Sequence, residues 1–375
     1  MYEDDDAHHD TASAPALLVT CLRGASFVIS PDTDWQALLS LAEAHGVSLV
    51  LAQIFHEKQI ETPAFFTAAV RERTAVTEAL ASELENLLNQ FAERQIEVLP
   101  LKGPALAKAL YGDVAMRPCD DLDLLVRRED LSRAEKLLLD MGFAAPAEGD
   151  DYHRKFIRDG LMVELHFEVA SPRSFLFDLA GLWSRTRSGE FQGAHMRVMA
   201  DEDLVLFLCL HGLKHGFSRL IWILDLAHAL GKMQAEGSWE LAQHARQQGL
   251  EQVLLIGCEV VREVFPQQLP QELEAVLAAS PEAAERARRA VAQLLVESTG
   301  RNNDPEIWSF YLHTESRASG KWRRRLTFFV PTAGDYAWAE RHGIYRGLMP
   351  ALRPFRLLHK YGASRAWRIL FPPPV

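Results

Sequence analysis

The stretch from Ile96 to Val169 constrains the fold most, because its apolar residues switch repeatedly between strand and helix periods. Residues 96–101 read as a strand, with Pro100 restricting it to a sheet edge or a strand end. Lys102-Gly103 makes a turn, and Pro104 is suited to the first position of a helix running to about Tyr111. Beyond a loop holding Gly112 and Pro118, residues 122–126 form a short strand, and 129–141 a helix closed by Gly142. Phe156-Ile157-Arg158 then enter Asp159-Gly160, a dipeptide that favours a tight hairpin turn. On the returning strand, residues 161–169, Val163, Leu165, Phe167 and Val169 face one way and Glu164, His166 and Glu168 the other. Hairpin strands interleaved with helices predict an α+β core.

Helical patterns flank that core. Asp34 is placed to cap a helix that begins near Trp35, turns Leu38, Leu39, Leu41 and Ala42 inward and ends at Gly46. A second helix follows through Val50, Leu51, Ile54 and Phe55, and a long one covers residues 63–94. After the core, Asp201 or Asp203 can cap a helix carrying Leu204, Val205, Leu206 and Leu208, and a helical set spans 239–299. The expected organisation is an acidic disordered N-terminus at 1–15, a helical region at 16–94 and the core at 95–200. A C-terminal helical domain at 201–315 and a basic aromatic tail at 316–375 follow. No Gly/Ser linker separates these units, so they are expected to pack closely.

Composition excludes several classes. The opening Glu3, Asp4, Asp5, Asp6, His8, His9 and Asp10 has neither the basic start nor the apolar run of a secretory signal. Apolar runs such as 204–210 fall well short of the roughly 20 residues of a membrane span. Cys21, Cys119, Cys209 and Cys258 lie far apart with no C-x-x-C pair, which argues against a disulfide framework or a cysteine zinc site. A reducing, cytoplasmic setting is expected. The net charge of −11 disfavours nucleic acid as a partner for the chain as a whole. The tail differs: Arg317, Lys321, Arg323, Arg324, Arg325, Arg341, Arg346, Arg353, Arg356, Lys360, Arg365 and Arg368 interleave with aromatics such as Trp322, Tyr336 and Trp338. It reads either as a polyanion-binding surface or as a segment docked on the acidic remainder.

Two carboxylates at i and i+2 on a strand share a face, so Asp121 and Asp123 can hold a divalent cation together while Leu122 and Leu124 enter the core. Glu164, on the polar face of another strand, is placed to complete a two-metal site near the attacking group, and His166 shares its face. His166 would contact substrate or orient Glu164. Asp120 would project to the other side. Arg117 can clamp a phosphate oxygen or pair with Asp113 or Asp120. Further on, His211 and His215 are i, i+4 on one helical stripe continued by Ser218, Trp222 and Asp225. Without the Glu of H-E-x-x-H they do not make a metalloprotease site. Lys214, His215 and Arg219 can reach a triphosphate or acceptor, whereas His211 and Asp225 also fit a satisfied polar interface. Walker, G-x-G-x-x-G and G-x-S-x-G motifs are absent from the sequence.

The order of these elements resembles the DNA polymerase β-like nucleotidyltransferase superfamily, and more closely an uncharacterised bacterial nucleotidyltransferase family within it. The matching text is Leu101-Lys102-Gly103-Pro104-Ala105-Leu106, Tyr111, Arg117-Pro118, Asp121-Leu122-Asp123-Leu124-Leu125-Val126 and Glu164-Leu165-His166. A second block follows at His211-Gly212, Trp222 and Asp225-Leu226, so the resemblance covers residues 99–230. It implies Mg²⁺ (or Mn²⁺), a nucleoside triphosphate donor with ATP expected, attack of a hydroxyl on the α-phosphate, and release of pyrophosphate. It also implies a polymerase β-like core of a small mixed sheet with helices, catalytic metal ligands at Asp121, Asp123 and Glu164, nucleotide contacts from Lys102 and Gly103, and a helical domain that holds base or acceptor.

The chain departs from that pattern in its first turn. Superfamily members usually have Gly-Ser or Gly-Gly there, whereas Pro104 has no N–H to offer a phosphate. Lys102 is the substitute contact, and Asp121 lies 18 positions past Gly103, a longer spacing than usual. The hydroxyl acceptor stays open among small molecule, peptide and protein, with a nucleic-acid end also open though not favoured. Two other readings stand beside enzymatic transfer: a catalytically inactive binding module for a peptide or polyanion, and a peptide-tailoring transferase of a biosynthetic cluster.

Overall fold

The computed structural model describes residues 13–145, 151–171, 177–236, 240–266, 269, 271–294, 330–331 and 333–361. The acidic opening, apart from its last three residues, lies outside them, as do Arg317, Lys321, Arg323, Arg324, Arg325, Arg365 and Arg368 of the tail. Helices α1 (Ala14–Leu22), α2 (Trp35–Ala44) and α3 (Ser48–Glu57) precede α4 (Ala64–Glu93), which at 30 residues is about 45 Å long. Asp34 caps α2, its Oδ1 accepting the Ala37 amide at 2.9 Å. Leu80, Leu84, Leu87, Leu88 and Phe91 recur at helical spacing along α4 and bury one stripe of it against the sheet.

The sheet is assembled from β1 (Val98–Pro100), β2 (Asp121–Val126), β3 (His153–Arg158) and β4 (Leu161–His166) in the order β1-β2-β4-β3. Pro100 thus sits in an edge strand. Only the central pair, β2 with β4, is parallel. Between the strands lie α5 (Pro104–Tyr111) and α6 (Leu131–Asp140), the latter preceded by a short 3-10 turn. Alternation divides the sheet. Leu122, Leu124, Val126, Val163 and Leu165 join α4 and α6 in one core, which leaves Asp121, Asp123, Glu164 and His166 on the opposite face. β4 ends at His166, so Phe167 and Val169 are buried beyond the strand rather than within it.

After α7 (Leu179–Arg185), a hairpin of β5 (Arg187–Phe191) and β6 (Ala194–Val198) packs on α4 and β1, an element the sequence reading passed over. A second core is built mainly from α8 (Asp201–Lys214), α9 (Leu220–Glu236), α10 (Leu241–Gln248), α11 (Glu251–Val264), α12 (Gln271–Ala278) and α13 (Pro281–Leu294), with α1–α3. α14 (Ala333–Arg341) and α15 (Met349–Tyr361) follow, tied together where the buried Asp335 accepts from Arg353 at 2.7 Å and from Arg356. Neither Asp201 nor Asp203 caps α8 through its side chain. Asp203 lies within the helix, fully buried, accepting from Arg185 at 2.8 Å and facing His244 at 2.8 Å.

The expected single stripe from His211 to Asp225 is broken. α8 ends at Lys214, and the chain reverses through Gly216 and Phe217, whose φ is 49°. Gly212 permits this: its backbone O accepts the Phe217 amide at 2.7 Å, and a Cβ on Gly212 would stand 2.2 Å from the Phe217 ring. Trp222, on α9, therefore comes back against His211 and His215, with ring centroids 5.3 and 5.0 Å apart.

Candidate active site

The polar face of the sheet and helices α8 and α9 enclose a cavity of about 420 Å³. Lys102, Asp121, Asp123, Glu164 and His166 line it from the sheet side, and His211, Lys214, His215, Arg219 and Trp222 from the helical side. Gly103, Arg117 and Asp225 stand outside the lining.

Register sets the carboxylates. Asp123 pairs with Glu164 across the parallel β2–β4 ladder, Asp121 with Met162, and Leu125 with His166. The Asp121 and Asp123 side chains share a face of β2, and Glu164 and His166 share the facing row of β4. Lys102 Nζ meets Asp123 Oδ2 at 2.9 Å, while His166 Nε2 lies 3.1 Å from Asp123 Oδ1 and 3.5 Å from Glu164 Oε2. From β3, Lys155 Nζ reaches Glu164 Oε1 at 2.9 Å and His153 Nε2 lies 3.7 Å from the same oxygen.

These charges act on one another in a largely buried setting. Burial and the neighbouring Asp123 push Asp121 up to about 6. Burial acts the same way on Asp123, 2% exposed, but Lys102 and His166 outweigh it and hold that carboxyl below its ordinary value. Glu164 is lowered to about 2, because the hydrogen bonds from His166 and Lys155 outweigh burial. Burial opposes the charged forms of His166 and Lys102, yet the acidic neighbours raise both. Across the cavity burial dominates: His211 falls well below its usual value, and His215 falls to about 3 with Lys214 adding to the effect. The sheet wall is a charged cluster and the α8–α9 wall a neutral imidazole–indole surface edged by Lys214 and Arg219.

The donor set suits a divalent cation. Oxygen or nitrogen atoms of Asp123, Glu164 and His166 all lie within 4.8 Å of one another, and Asp121 borders the same cavity. The group that converges most closely thus includes His166 in place of Asp121 from the expected trio of carboxylates.

Arg117 departs from the sequence expectation. It is 4% exposed and its Nε donates to Asp225 Oδ2 at 2.8 Å, while the Tyr111 hydroxyl donates to Asp225 Oδ1 at 2.8 Å. Its guanidinium joins the core to α9 instead of clamping a phosphate, and neither Asp113 nor Asp120 is its partner. Asp120 accepts from Arg73 at 2.6 Å, and Asp113 accepts the Ala115 amide at 3.0 Å. Gly103 adopts φ 71°, ψ −146° as the residue before α5, with Pro104 in the first helical turn.

Tyr152, His153 and Lys155 of the β3 arm line the cavity but were missed from the sequence. A two-residue turn at Asp159-Gly160 fixes the pairing of Arg158 with Leu161, and counting back places Lys155 opposite Glu164 and His153 opposite His166. That count was the available signal.

Residues 31–266 match the model of a family described as "Uncharacterised nucleotidyltransferase", and no curated protein matches the chain. Solved structures that are similar include the antibiotic-resistance factor ANT(2'')-Ia in solution, at 17% identity and TM-score 0.37, covering 45% of this chain and 92% of that one. A crystal structure of ANT(2'')-Ia with adenylyl-2''-tobramycin shows 18% identity and TM-score 0.35, covering 45% and 98%. An antigenic nucleotidyltransferase-like protein from Paracoccidioides brasiliensis shows 17% identity and TM-score 0.28, covering 60% and 97%. At these scores none of the three bears on the reading that follows.

Proposed function

The chain belongs to the uncharacterised nucleotidyltransferase family, and from that premise we propose that it transfers a nucleoside monophosphate from a nucleoside triphosphate to a hydroxyl acceptor, releasing pyrophosphate. ATP is the first donor to test. The observation that carries the reading is the row of carboxylates on β2 and β4, facing a cavity whose margins hold Lys102, Lys214 and Arg219. Transfer of a nucleotidyl group needs a polyanion held beside a hydroxyl, with its charge neutralised and water kept out.

In this reading Asp121, Asp123 and Glu164 hold the divalent cation, Mg²⁺ or Mn²⁺. Bound there, the cation would polarise phosphoryl oxygens and draw charge from the leaving pyrophosphate. Lys102 sits against Asp123 and is the cationic residue of the first turn, where Pro104 removes an amide donor. Lys214 and Arg219 take phosphate oxygens from the α8–α9 side as charged donors. The neutral rings of His211, His215 and Trp222 give the base or the acceptor an apolar, π-rich wall. Arg117 and Asp225 position α5 and β2 against α9 rather than touching substrate.

Each α-labelled nucleoside triphosphate should be incubated with the protein, Mg²⁺ or Mn²⁺, and cell extract, and the labelled product identified by mass spectrometry. Calorimetry should find metal-dependent ATP binding that disappears in the folded Asp121→Ala/Asp123→Ala variant. Equal binding by that variant would refute the site. Tight binding of a polyanion or peptide with no turnover of any triphosphate would favour the inactive-module reading instead.

A further inference from the structure

The group that converges most tightly in the cavity is not purely carboxylate. Asp123 Oδ1 lies 3.1 Å from His166 Nε2, and that nitrogen 3.5 Å from Glu164 Oε2. A cation with bonds of about 2.1 Å separates neighbouring ligand atoms by about 3.0 Å at right angles and about 3.4 Å at tetrahedral angles. The two edges shown by these side chains are of that size.

The ring is also fixed in place. His166 ends β4, its side chain is 7% exposed, and its imidazole stacks on that of His153 with centroids 5.1 Å apart and planes 28° from parallel. It is Nε2 that faces the two carboxylates. Strand pairing of Asp123 with Glu164 and of Leu125 with His166 places all three ligand atoms on rigid backbone.

We infer that His166 is a direct metal ligand, and that the place bounded by Asp123, Glu164 and His166 favours first-row transition cations over Mg²⁺, with Mn²⁺ the paramagnetic member used to probe it. The inference rests on the nucleotidyl-transfer reading for its purpose but not for its test. Mg²⁺ favours oxygen donors and gives up its water reluctantly, whereas imidazole nitrogen favours the later divalent cations. One imidazole in an otherwise oxygen set therefore tilts selectivity without excluding Mg²⁺. A histidine serving only to orient the carboxylates would instead keep its Nε2 proton and never touch the ion.

The test uses Mn²⁺ alone on the full chain, without nucleotide. Pulsed electron paramagnetic resonance should show modulation from a directly bound ¹⁴N, replaced by the ¹⁵N pattern when the chain is grown on ¹⁵N-histidine. The ¹⁴N signal should vanish in His166→Asn with Mn²⁺ still bound, and persist in His153→Asn. Competition calorimetry should give Mn²⁺ an advantage over Mg²⁺ of about tenfold or more, narrowing in His166→Asn. Bound Mn²⁺ without nitrogen modulation, or modulation that survives in His166→Asn, would overturn the inference while leaving the carboxylate site and nucleotidyl transfer intact. If neither cation binds, with or without ATP, both the inference and the nucleotidyl-transfer reading fall. Should His166→Asn fail to fold, the ¹⁵N-histidine experiment on the His153→Asn chain decides, since loss of modulation there would assign the ligand to His153 and refute His166.

Discussion

Asp225 is the residue whose loss the structure prices most clearly. It is fully buried on α9 and accepts one hydrogen bond from Arg117 and one from Tyr111, 108 and 114 positions away in sequence. The side chains of the Arg117–Asp225 pair are 5% and 1% exposed. Asp225→Ala strands a buried guanidinium and a phenol, and breaking a buried pair in this way costs about 3–5 kcal/mol. Removing the guanidinium as well relieves the stranded charge. Arg117→Met/Asp225→Ala should therefore recover about 2 kcal/mol relative to the sum of the single changes, and adding Tyr111→Phe should recover more. Urea unfolding of wild type, both single variants and the double, followed by far-ultraviolet circular dichroism, measures the cycle, with m values compared to check that the transition is unchanged. If the single effects add, or if Asp225→Ala costs less than about 1 kcal/mol, the pair is not the desolvated junction described above.

Three further outcomes are expected. Burial, aided by Arg219, lowers His45 to about 4 from 6.5, so the unfolded chain takes up its proton first. The stability this neutral ring contributes is complete above about pH 6.5 and is lost progressively as pH falls to 4, by up to about 3 kcal/mol. Urea midpoints of wild type and His45→Asn across that window should converge as pH falls, and parallel curves would refute the assignment. Burial raises Cys21 to about 12 and Cys119 to about 11, and all four cysteines are buried thiols. Ellman's reagent should therefore label the native protein far more slowly than the denatured one, and a native thiol that reacts as fast as in urea would contradict the packing. Gly103→Ala puts a side chain at φ 71°, ψ −146° and should cost about 1–3 kcal/mol in thermal or urea unfolding. A neutral effect would show that the turn adopts another conformation.

The sequence by itself determined the sheet and the side on which its acids lie. Alternation in β2 and β4 sends Leu122, Leu124, Val163 and Leu165 to the core and leaves Asp121, Asp123 and Glu164 opposite, because strand side chains repeat with a period of two. The Asp159-Gly160 turn also encoded the register that brings Lys155 and His153 to Glu164. Residues 101–126 carried the first part of the family resemblance for the same local reason: turn, helix start and strand are short-range signals. Only the tertiary structure decided what lies across the cavity. The reversal at Gly216-Phe217 requires the Phe217 ring to fit against Gly212, and that turns an apparent helical stripe into two walls meeting at Trp222. Arg117 could not be assigned from its neighbours Asp113 and Asp120, because its partner is brought in by the packing of α5 on α9. Local patterns state which way a side chain points; which distant charge waits there depends on how the two cores close on each other, and burial then makes that pairing obligatory.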